Sequence, residues 1–166
     1  MIFVTVGTHE QPFNRLVKAV DDLVENGTIK EDVIVQRGYS TYEPKHCKCY
    51  NLISWEEMQK YNKEARIIIT HGGPASFIDV LSLGKTPIVV PRQAKYNEHV
   101  NDHQLEFARQ LVERGENIIV VEDIETLQNA INAISNKFES NFVSNNKEFC
   151  NNLEIEIKKL YEVSEL

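Results

Sequence analysis

Short runs of apolar, often β-branched residues alternate along this chain with longer stretches in which apolar positions recur at helical spacing. The short runs predict strands that are buried on both faces, as in a parallel sheet. They cover residues 2–6, 32–36, 50–53, 67–69, 87–91 and 118–121. Helical spacing predicts helices over residues 13–24, 55–62, 74–83, 105–112, 127–134 and about 147–162.

This alternation of strands and helices predicts one Rossmann-like α/β domain over residues 1–166, with helices on both faces of a parallel sheet. The usual order for six such strands is 3-2-1-4-5-6. In that order strands one and four are neighbours at the point where the strand order reverses. The loops that follow these two strands open into one crevice, where we expect a ligand.

Charge and cysteine usage narrow the class of protein. A net charge of −7 and the lack of a basic run argue against a nucleic-acid binder. The three cysteines, Cys47, Cys49 and Cys150, are an odd number in a long chain, which indicates free thiols in a reducing compartment. His46 beside Cys47 and Cys49 resembles a fragment of a zinc site, but no second ligand pair follows at finger spacing, so no metal is expected.

No targeting or membrane segment is evident in the sequence. The opening apolar run is too short for a signal peptide and lacks a basic start. No apolar run approaches the ~20 residues that a membrane-spanning helix needs. We therefore expect a cytoplasmic protein that reaches a membrane only through another molecule.

The junction after strand four is the strongest local motif. Gly72 and Gly73 follow the apolar run, and Pro74 fits the first position of a helix. The glycines are expected to permit a tight turn and a close approach of backbone amides to a ligand. Amides at the positive end of a helix suit a phosphate. A tight turn without a ligand is the alternative that the glycines alone leave open.

Four of the five histidines fall in the predicted loops at this end of the sheet: His9, His71, His99 and His103. We expect His71 to donate to a phosphate, and His9, on the opposite loop, to act as a base or as a second donor. A turn or capping role is the alternative for each. No G-x-G-x-x-G or P-loop sequence is present, which disfavours nicotinamide cofactors and ATP hydrolysis.

Two further features suit a nucleoside and a sugar. Asp79 lies one turn into the helix, where a carboxylate can accept both hydroxyls of a ribose, although a surface carboxylate near a helix start is the alternative. Residues 92–104 are dense in hydrogen-bonding groups and include the cations Arg92 and Lys95. A plain surface loop has a similar composition.

In this order the motifs resemble the C-terminal, nucleotide-sugar-binding half of a GT-B glycosyltransferase. The likeness is to glycosyltransferase family 28 and its Alg13-like branch, and it covers almost the whole chain. The stretches that carry it are residues 3–9, 70–76, 87–92 and 101–104, together with Phe13, Leu16 and Asp79.

The resemblance implies a UDP-sugar donor, no metal and no other cofactor. It places the donor diphosphate at His71, Gly72, Gly73 and Ser76, with the ribose at Asp79. Uracil is expected at the backbone near Ile53. The remaining donor-binding candidates lie in two places. Gly7 and Thr8 belong to the loop after strand one, and Asn97, Glu98, His103 and Gln104 are expected near the donor sugar. His9 is the candidate catalytic base, and His71 would stabilise the leaving diphosphate.

The resemblance also implies an enzyme split over two polypeptides. An Alg14-like, membrane-associated partner would supply the acceptor site and hold the chain at the inner face of the membrane. The expected reaction is inverting transfer of a hexose to a lipid-linked acceptor in capsular or exopolysaccharide synthesis. The final helix is expected to pack mostly on this chain's own sheet or to dock on that partner. A non-catalytic nucleotide-binding or regulatory module is the alternative function, and an unrelated epimerase-like or phosphotransfer enzyme is a third.

Overall fold

A parallel sheet of six strands forms the centre of the protein. The computed structural model describes residues 1–134 and 146–162. The strands are β1 (Ile2–Thr5), β2 (Val33–Gln36), β3 (Lys48–Tyr50), β4 (Ile67–His71), β5 (Ile88–Val90) and β6 (Ile119–Val120). Their order is β3-β2-β1-β4-β5-β6, and every neighbouring pair is parallel. The predicted fold class and strand order are confirmed.

Six α-helices accompany the sheet in the described residues: α1 (Asn14–Glu25), α2 (Trp55–Glu64), α3 (Pro74–Ser82), α4 (His103–Glu113), α5 (Leu127–Ile134) and α6 (Asn146–Glu162). Two short 3₁₀ turns lie at Ala94–Tyr96 and Ile124–Thr126, and the sequence pattern predicts neither of them. A single 3₁₀ turn has no apolar stripe, so hydrophobic periodicity cannot reveal it.

The alternation of side chains along β1 and β4 divides the core between the two faces of the sheet. Ile2, Val4 and Ile69 pack with residues of α1 and α5 on one face. Phe3 and Ile68 pack with residues of α2 and α3 on the other. Because both faces are covered, these central strands are apolar at every position, as the sequence pattern indicates.

Strand β3 is shifted from its predicted position. The sequence analysis places it at residues 50–53, whereas residues 48–50 pair with β2. Ser54 accepts a hydrogen bond from the Glu57 amide, and the Glu57 carboxylate accepts one from the Ser54 amide, so a capping box already starts α2 there. The strand must therefore end earlier, and Leu52 lies 53% exposed on the connecting loop.

Helix α6 presents apolar residues to solvent. Leu153 and Ile157, which share one face of the helix, are 48% and 43% exposed. Packing on the chain's own sheet, the first of the two expectations for this face, is therefore not seen for these two residues. The side chains of Phe149, Leu160 and Tyr161 lie outside the described residues.

A buried arginine joins the β1–α1 segment to the β5–α4 loop at the carboxyl end of the sheet. Arg92 follows β5 and is completely buried. Its guanidinium donates to the carbonyl oxygens of Val6 and Gln11 in the β1–α1 segment, at 2.9 and 2.7 Å, and to that of Glu98 in the β5–α4 loop, at 3.1 Å. The ring of Phe13 lies 4.8 Å from its central carbon. The cation therefore fixes the positions of both loops at once.

A second buried pair reinforces this junction. Arg15 of α1 donates to both carboxylate oxygens of Glu98, at 2.8 and 2.9 Å, and to the Pro91 carbonyl at 3.1 Å. The Glu98 carboxylate also accepts from the Gln93 amide at 3.1 Å. A bidentate arginine–carboxylate pair is among the stronger hydrogen-bonded contacts. Helix α1 and the β5–α4 loop are held together across 83 residues of sequence.

Replacing the buried arginine should destabilise the fold far more than replacing an exposed one. Arg92→Met leaves three carbonyl oxygens without their donor, and we expect a loss of about 3 kcal/mol or more in the free energy of unfolding. Arg109→Met is the matched control, since Arg109 forms an exposed pair with Glu122 and should lose at most about 1 kcal/mol. Urea unfolding measures both. Equal losses in the two variants would contradict the account.

Candidate functional site

The imidazole of His71 occupies the floor of the crevice between the β1 and β4 loops. A Cβ atom on Gly7 would lie 2.5 Å from its Cε1 atom, and one on Gly73 would lie 2.3 Å from its Nε2 atom. Neither position has room for a side chain while the imidazole is there. The two glycines therefore enclose His71, and its Nε2 atom lies where the two loops meet.

This arrangement corrects the reason given for the glycines after β4. The sequence analysis expects Gly72 and Gly73 to permit a tight turn, but neither has a positive φ. Gly73 has a φ of −73° and precedes the first residue of α3, a conformation that any residue adopts. Space explains both positions: Gly73 adjoins His71, and a Cβ on Gly72 would lie 2.8 Å from the Cβ of Gln104.

His71 is neutral at physiological pH. Burial, together with the positive charge of Arg92, lowers its pKa to about 4. The Thr5 carbonyl opposes this shift, because a nearby carbonyl oxygen favours the protonated imidazole and raises its pKa. The imidazole therefore meets a ligand as a neutral hydrogen-bonding group.

The positive field in the crevice comes from Arg92. Burial lowers the pKa of Arg92, but only to about 10, so it stays charged at neutral pH. Its hydrogen-bond partners named above are carbonyl oxygens, which orient the cation, and the Glu98 carboxylate, whose charge raises the pKa of Arg92, is already paired with Arg15. The sequence analysis names Arg92 as a candidate cation for an anionic ligand, and its complete burial indicates that it would act through its field. Lys95, the other candidate cation, is exposed.

Helix α3 aims its N-terminus at the same crevice. It begins at Pro74, immediately after the glycines, and Ser76 lies in its first turn. The positive end of the helix dipole adds to the field of Arg92. Asp79 is exposed one turn further on, and its carboxylate accepts a long hydrogen bond of 3.5 Å from Gln59 of α2. Its position is compatible with a ribose contact.

Of the candidate sugar contacts, the structure changes the interpretation of Glu98 most. Its side chain is 4% exposed and both carboxylate oxygens are used in the ion pair with Arg15 and the bond to Gln93. It is a structural counter-ion, and the expected contact with a donor sugar does not fit its burial. Asn97, by contrast, is exposed in a left-handed conformation with a φ of 56°.

Gln104 keeps one hydrogen-bonding group for a ligand. Its side-chain oxygen accepts from the Arg92 amide at 3.1 Å. This bond fixes the orientation of the side-chain amide and leaves its Nε2 group as a donor. His103, the first residue of α4, is exposed, and its Nδ1 atom is hydrogen-bonded to the Asn101 side chain.

Three imidazoles form a row along the rim of the crevice. The rings of His9 and His99 are stacked, with centroids 4.7 Å apart and an interplanar angle of 24°. His103 meets the other side of this row edge-on, at 4.5 Å from His99. Burial, followed by the neighbouring His103, His9 and Arg92, lowers the pKa of His99. The ring of His99 therefore lies between the β1 loop and the start of α4 and contacts a histidine of each.

The remaining candidates lie around this centre. Gly7 has a φ of 74° and is held by Gln36, whose side-chain amide donates to its carbonyl at 3.1 Å. Thr8 is exposed beside it. Ile53 lies between β3 and α2 and packs partly against the core on that face. The side chain of Trp55, two residues on, is 71% exposed.

The cysteines of β3 give no sign of a metal site. Cys47 and Cys49 are free and partly buried, and burial raises the pKa of the Cys47 thiol to about 12. Within residues 1–134 and 146–162, no group of three or more His, Cys, Asp or Glu side chains is arranged to hold a metal ion.

Sequence reasoning missed the residues that hold the site together. Arg15, Gln36 and Gln11 are polar residues whose partners are distant in sequence or are backbone atoms, and hydrophobic periodicity carries no signal for such contacts. One signal was available for Arg92. It lies two residues beyond β5, a strand that is buried on both faces and pairs with β4, so its side chain is close to the loops at the carboxyl end of the sheet.

The comparisons with known proteins agree with this geometry. The profile of the glycosyltransferase family 28 C-terminal domain matches residues 1–161. A solution structure of ALG13 is similar, with 21% identity and a TM-score of 0.56 over 89% of this chain and 92% of its own. No curated protein sequence matches the chain significantly.

Two larger enzymes share the fold over part of their length. The crystal structure of the glycotransferase of kitacinnamycin has 14% identity and a TM-score of 0.61, over 82% of this chain and 35% of its own. MurG from Acinetobacter baumannii has 18% identity and a TM-score of 0.54, over 80% of this chain and 40% of its own. At these identities the likeness is one of fold.

The sheet order and the crevice at its switch point define a Rossmann-like domain of the GT-B glycosyltransferase type. The chain belongs to the glycosyltransferase family 28 C-terminal domain family. The predicted resemblance to this family and to Alg13 is thereby confirmed. Among the described residues, no helix is both long enough and apolar enough to span a bilayer.

The contact between Gly73 and His71 can be measured by a double-mutant cycle. Gly73→Ala places a Cβ atom against His71 Nε2, so the imidazole must move, and we expect the free energy of unfolding to fall by about 1–3 kcal/mol. In a His71→Ala background the space is empty, and only the small N-cap preference for glycine over alanine remains. Urea unfolding of the four proteins gives the coupling energy.

A matched pair of glycines provides the control. Gly7 and Gly27 have nearly the same φ, 74° and 75°, but a Cβ on Gly27 meets nothing within 4 Å. Gly7→Ala should therefore destabilise more than Gly27→Ala, and the difference should vanish once His71 is alanine. A coupling energy near zero for Gly73 and His71 would show that the imidazole does not occupy this space.

Proposed function

We propose that this chain is the donor-binding and catalytic subunit of a UDP-sugar-dependent, inverting glycosyltransferase. The observation that carries the proposal is the position of His71. Its neutral imidazole lies at the meeting point of two glycine loops, beside the N-terminus of α3 and close to the buried charge of Arg92. A diphosphate needs hydrogen-bond donors and a positive field in one place, and this crevice offers both.

The donor diphosphate would lie across the crevice between the β1 and β4 loops. The proposal requires the His71 tautomer with hydrogen on Nε2, the atom that lies where the two glycine loops meet, so that it can donate to a phosphate oxygen. The helix end and Arg92 stabilise the diphosphate as it leaves, an electrostatic role that requires no metal.

The rest of the donor extends from this point in two directions. Towards α2, Asp79 is placed for the ribose hydroxyls and the backbone near Ile53 for uracil. Towards α4, the Nε2 group of Gln104, the imidazole of His103 and the side chain of Asn97 are placed for the sugar. Glu98 has no direct role in this arrangement, because its carboxylate is buried.

Inverting transfer requires a base that removes the proton of the acceptor hydroxyl. His9 lies on the β1 loop, on the opposite side of the crevice from α3, and is partly exposed. It is the base that we propose within this chain.

The acceptor site would come from a second polypeptide. The chain spans 35% of the glycotransferase of kitacinnamycin and 40% of MurG, so a large part of such enzymes has no counterpart in these residues. We propose an Alg14-like, membrane-associated partner that presents a lipid-linked acceptor at the cytoplasmic face of the membrane. The reaction would be hexose transfer in capsular or exopolysaccharide synthesis, and the exposed Leu153 and Ile157 of α6 offer apolar contacts to the partner.

Titration calorimetry without metal tests the donor site. We expect UDP to bind and ADP and GDP to bind more weakly. His71→Ala should weaken UDP binding by about 10-fold or more, because it removes a hydrogen bond to a charged phosphate group. His103→Ala is the control, because it faces the sugar and should leave the affinity for UDP unchanged. Unaltered UDP binding by His71→Ala would reject the assignment of the diphosphate site.

Activity separates an enzyme from a nucleotide-binding module. Sugar transfer by the chain together with its partner should be lost in His9→Ala while the affinity for UDP is retained. If His9→Ala keeps full transfer activity, the base lies elsewhere. If UDP binds but no transfer occurs with the partner present, the non-catalytic alternative gains support.

A further inference from the structure

The side chain of Gln11 connects His9 to the β5–α4 loop. Its Oε1 atom lies 2.8 Å from the Nε2 atom of His9. Its Nε2 atom donates to the Asn97 carbonyl at 3.2 Å. The Gln11 side chain thus bridges the β1 loop and the β5–α4 loop and contacts His9 through a single ring nitrogen.

This chain of contacts determines where neutral His9 carries its hydrogen. A backbone carbonyl can only accept, so the Gln11 atom that faces Asn97 must be the amide nitrogen. The Gln11 atom that faces His9 is then the oxygen, which also can only accept. Neutral His9 must therefore hold its hydrogen on Nε2, and its lone pair lies on Nδ1.

Both ends of this bridge are fixed by the surrounding structure. The backbone carbonyl of Gln11 accepts from the buried Arg92 guanidinium at 2.7 Å. Asn97 adopts a left-handed conformation at the end of a 3₁₀ turn, which sets the direction of its carbonyl. The ring of His99 stacks on His9, so the imidazole is restrained on one face as well as at its edge.

We propose that Gln11 is a positioning residue that holds His9 in the Nε2–H tautomer, with Nδ1 as the proton acceptor. The tautomer follows from the contacts, and only the use of Nδ1 rests on the proposed function. In the transfer step the acceptor hydroxyl gives its proton to Nδ1, and its oxygen forms the new bond to the anomeric carbon. The bond from that carbon to the phosphate oxygen breaks, and its electron pair leaves with the diphosphate.

Gln11 also suits the charged state that follows. Once Nδ1 has taken the proton, both ring nitrogens of His9 are donors. The Nε2–H group keeps its acceptor, the Gln11 oxygen, so the ring need not turn. A group that orients a histidine base and fixes its tautomer has a large effect on catalysis where it has been measured in other enzymes.

Nitrogen-15 NMR of the imidazoles tests the proposal on the free chain, without any ligand. At a pH at which His9 is neutral, wild type should show a protonated Nε2 and an unprotonated Nδ1. In Gln11→Lys the side chain offers only hydrogen-bond donors to His9 and Asn97. The hydrogen of neutral His9 should therefore move to Nδ1, so that Nδ1 gives the resonance of a protonated nitrogen and Nε2 that of an unprotonated one. Gln11→Glu keeps an acceptor towards His9 and should retain the wild-type pattern. Gln110→Lys, an exposed substitution on α4, is the charge-matched control and should change nothing.

Two outcomes would overturn the proposal: a hydrogen on Nδ1 of His9 in wild type, or an unchanged pattern in Gln11→Lys. The wild-type spectrum decides even if a variant fails to fold. Titration of the same wild-type sample with UDP keeps the two hypotheses apart. A chain whose His9 changes tautomer in Gln11→Lys but which does not bind UDP contradicts the proposed donor site and supports the role of Gln11.

Discussion

The arrangement of this site depends on one buried cation. Arg92 donates to carbonyls in the β1–α1 segment and in the β5–α4 loop, so it fixes these two loops relative to each other. Burying a charge is unfavourable unless hydrogen bonds compensate for it, and three carbonyls do so here. Burial lowers the pKa of His71, and the charge of Arg92 lowers it further and gives the crevice a positive field. One side chain therefore holds the two loops together and also supplies the positive charge that an anionic ligand would need.

The space around His71 explains the glycines of the crevice. Gly7 and Gly73 lack side chains where the imidazole lies, and Gly72 lacks one where Gln104 lies. The absence of these side chains leaves the space that the imidazole occupies at the floor of the crevice. The position of His71 at the end of β4 follows from the sheet, because β4 is paired with β1 along its length.

The sequence predicts the sheet, its order and the location of the crevice, because apolar periodicity and the rules for parallel strands determine them. The position predicted for β3 is wrong, because the apolar residues Leu52 and Ile53 lie beyond the end of the strand. The capping box at Ser54 starts α2 there and so limits how far the strand can extend. The sequence analysis also assigns Glu98 to a ligand, although Arg15, 83 residues away, neutralises it in the core. Contacts such as those of Gln11, Gln36 and Arg92 join loops that only the folded chain brings together.

The proposed donor site would hold the diphosphate of a nucleotide between the β1 and β4 loops. A crystal structure of the chain with UDP tests this directly. The account predicts a phosphate oxygen within about 3 Å of His71 Nε2, at the N-terminus of α3. UDP bound at the opposite edge of the sheet, such as the cavity lined by Met1, Lys30 and Lys48, would contradict it.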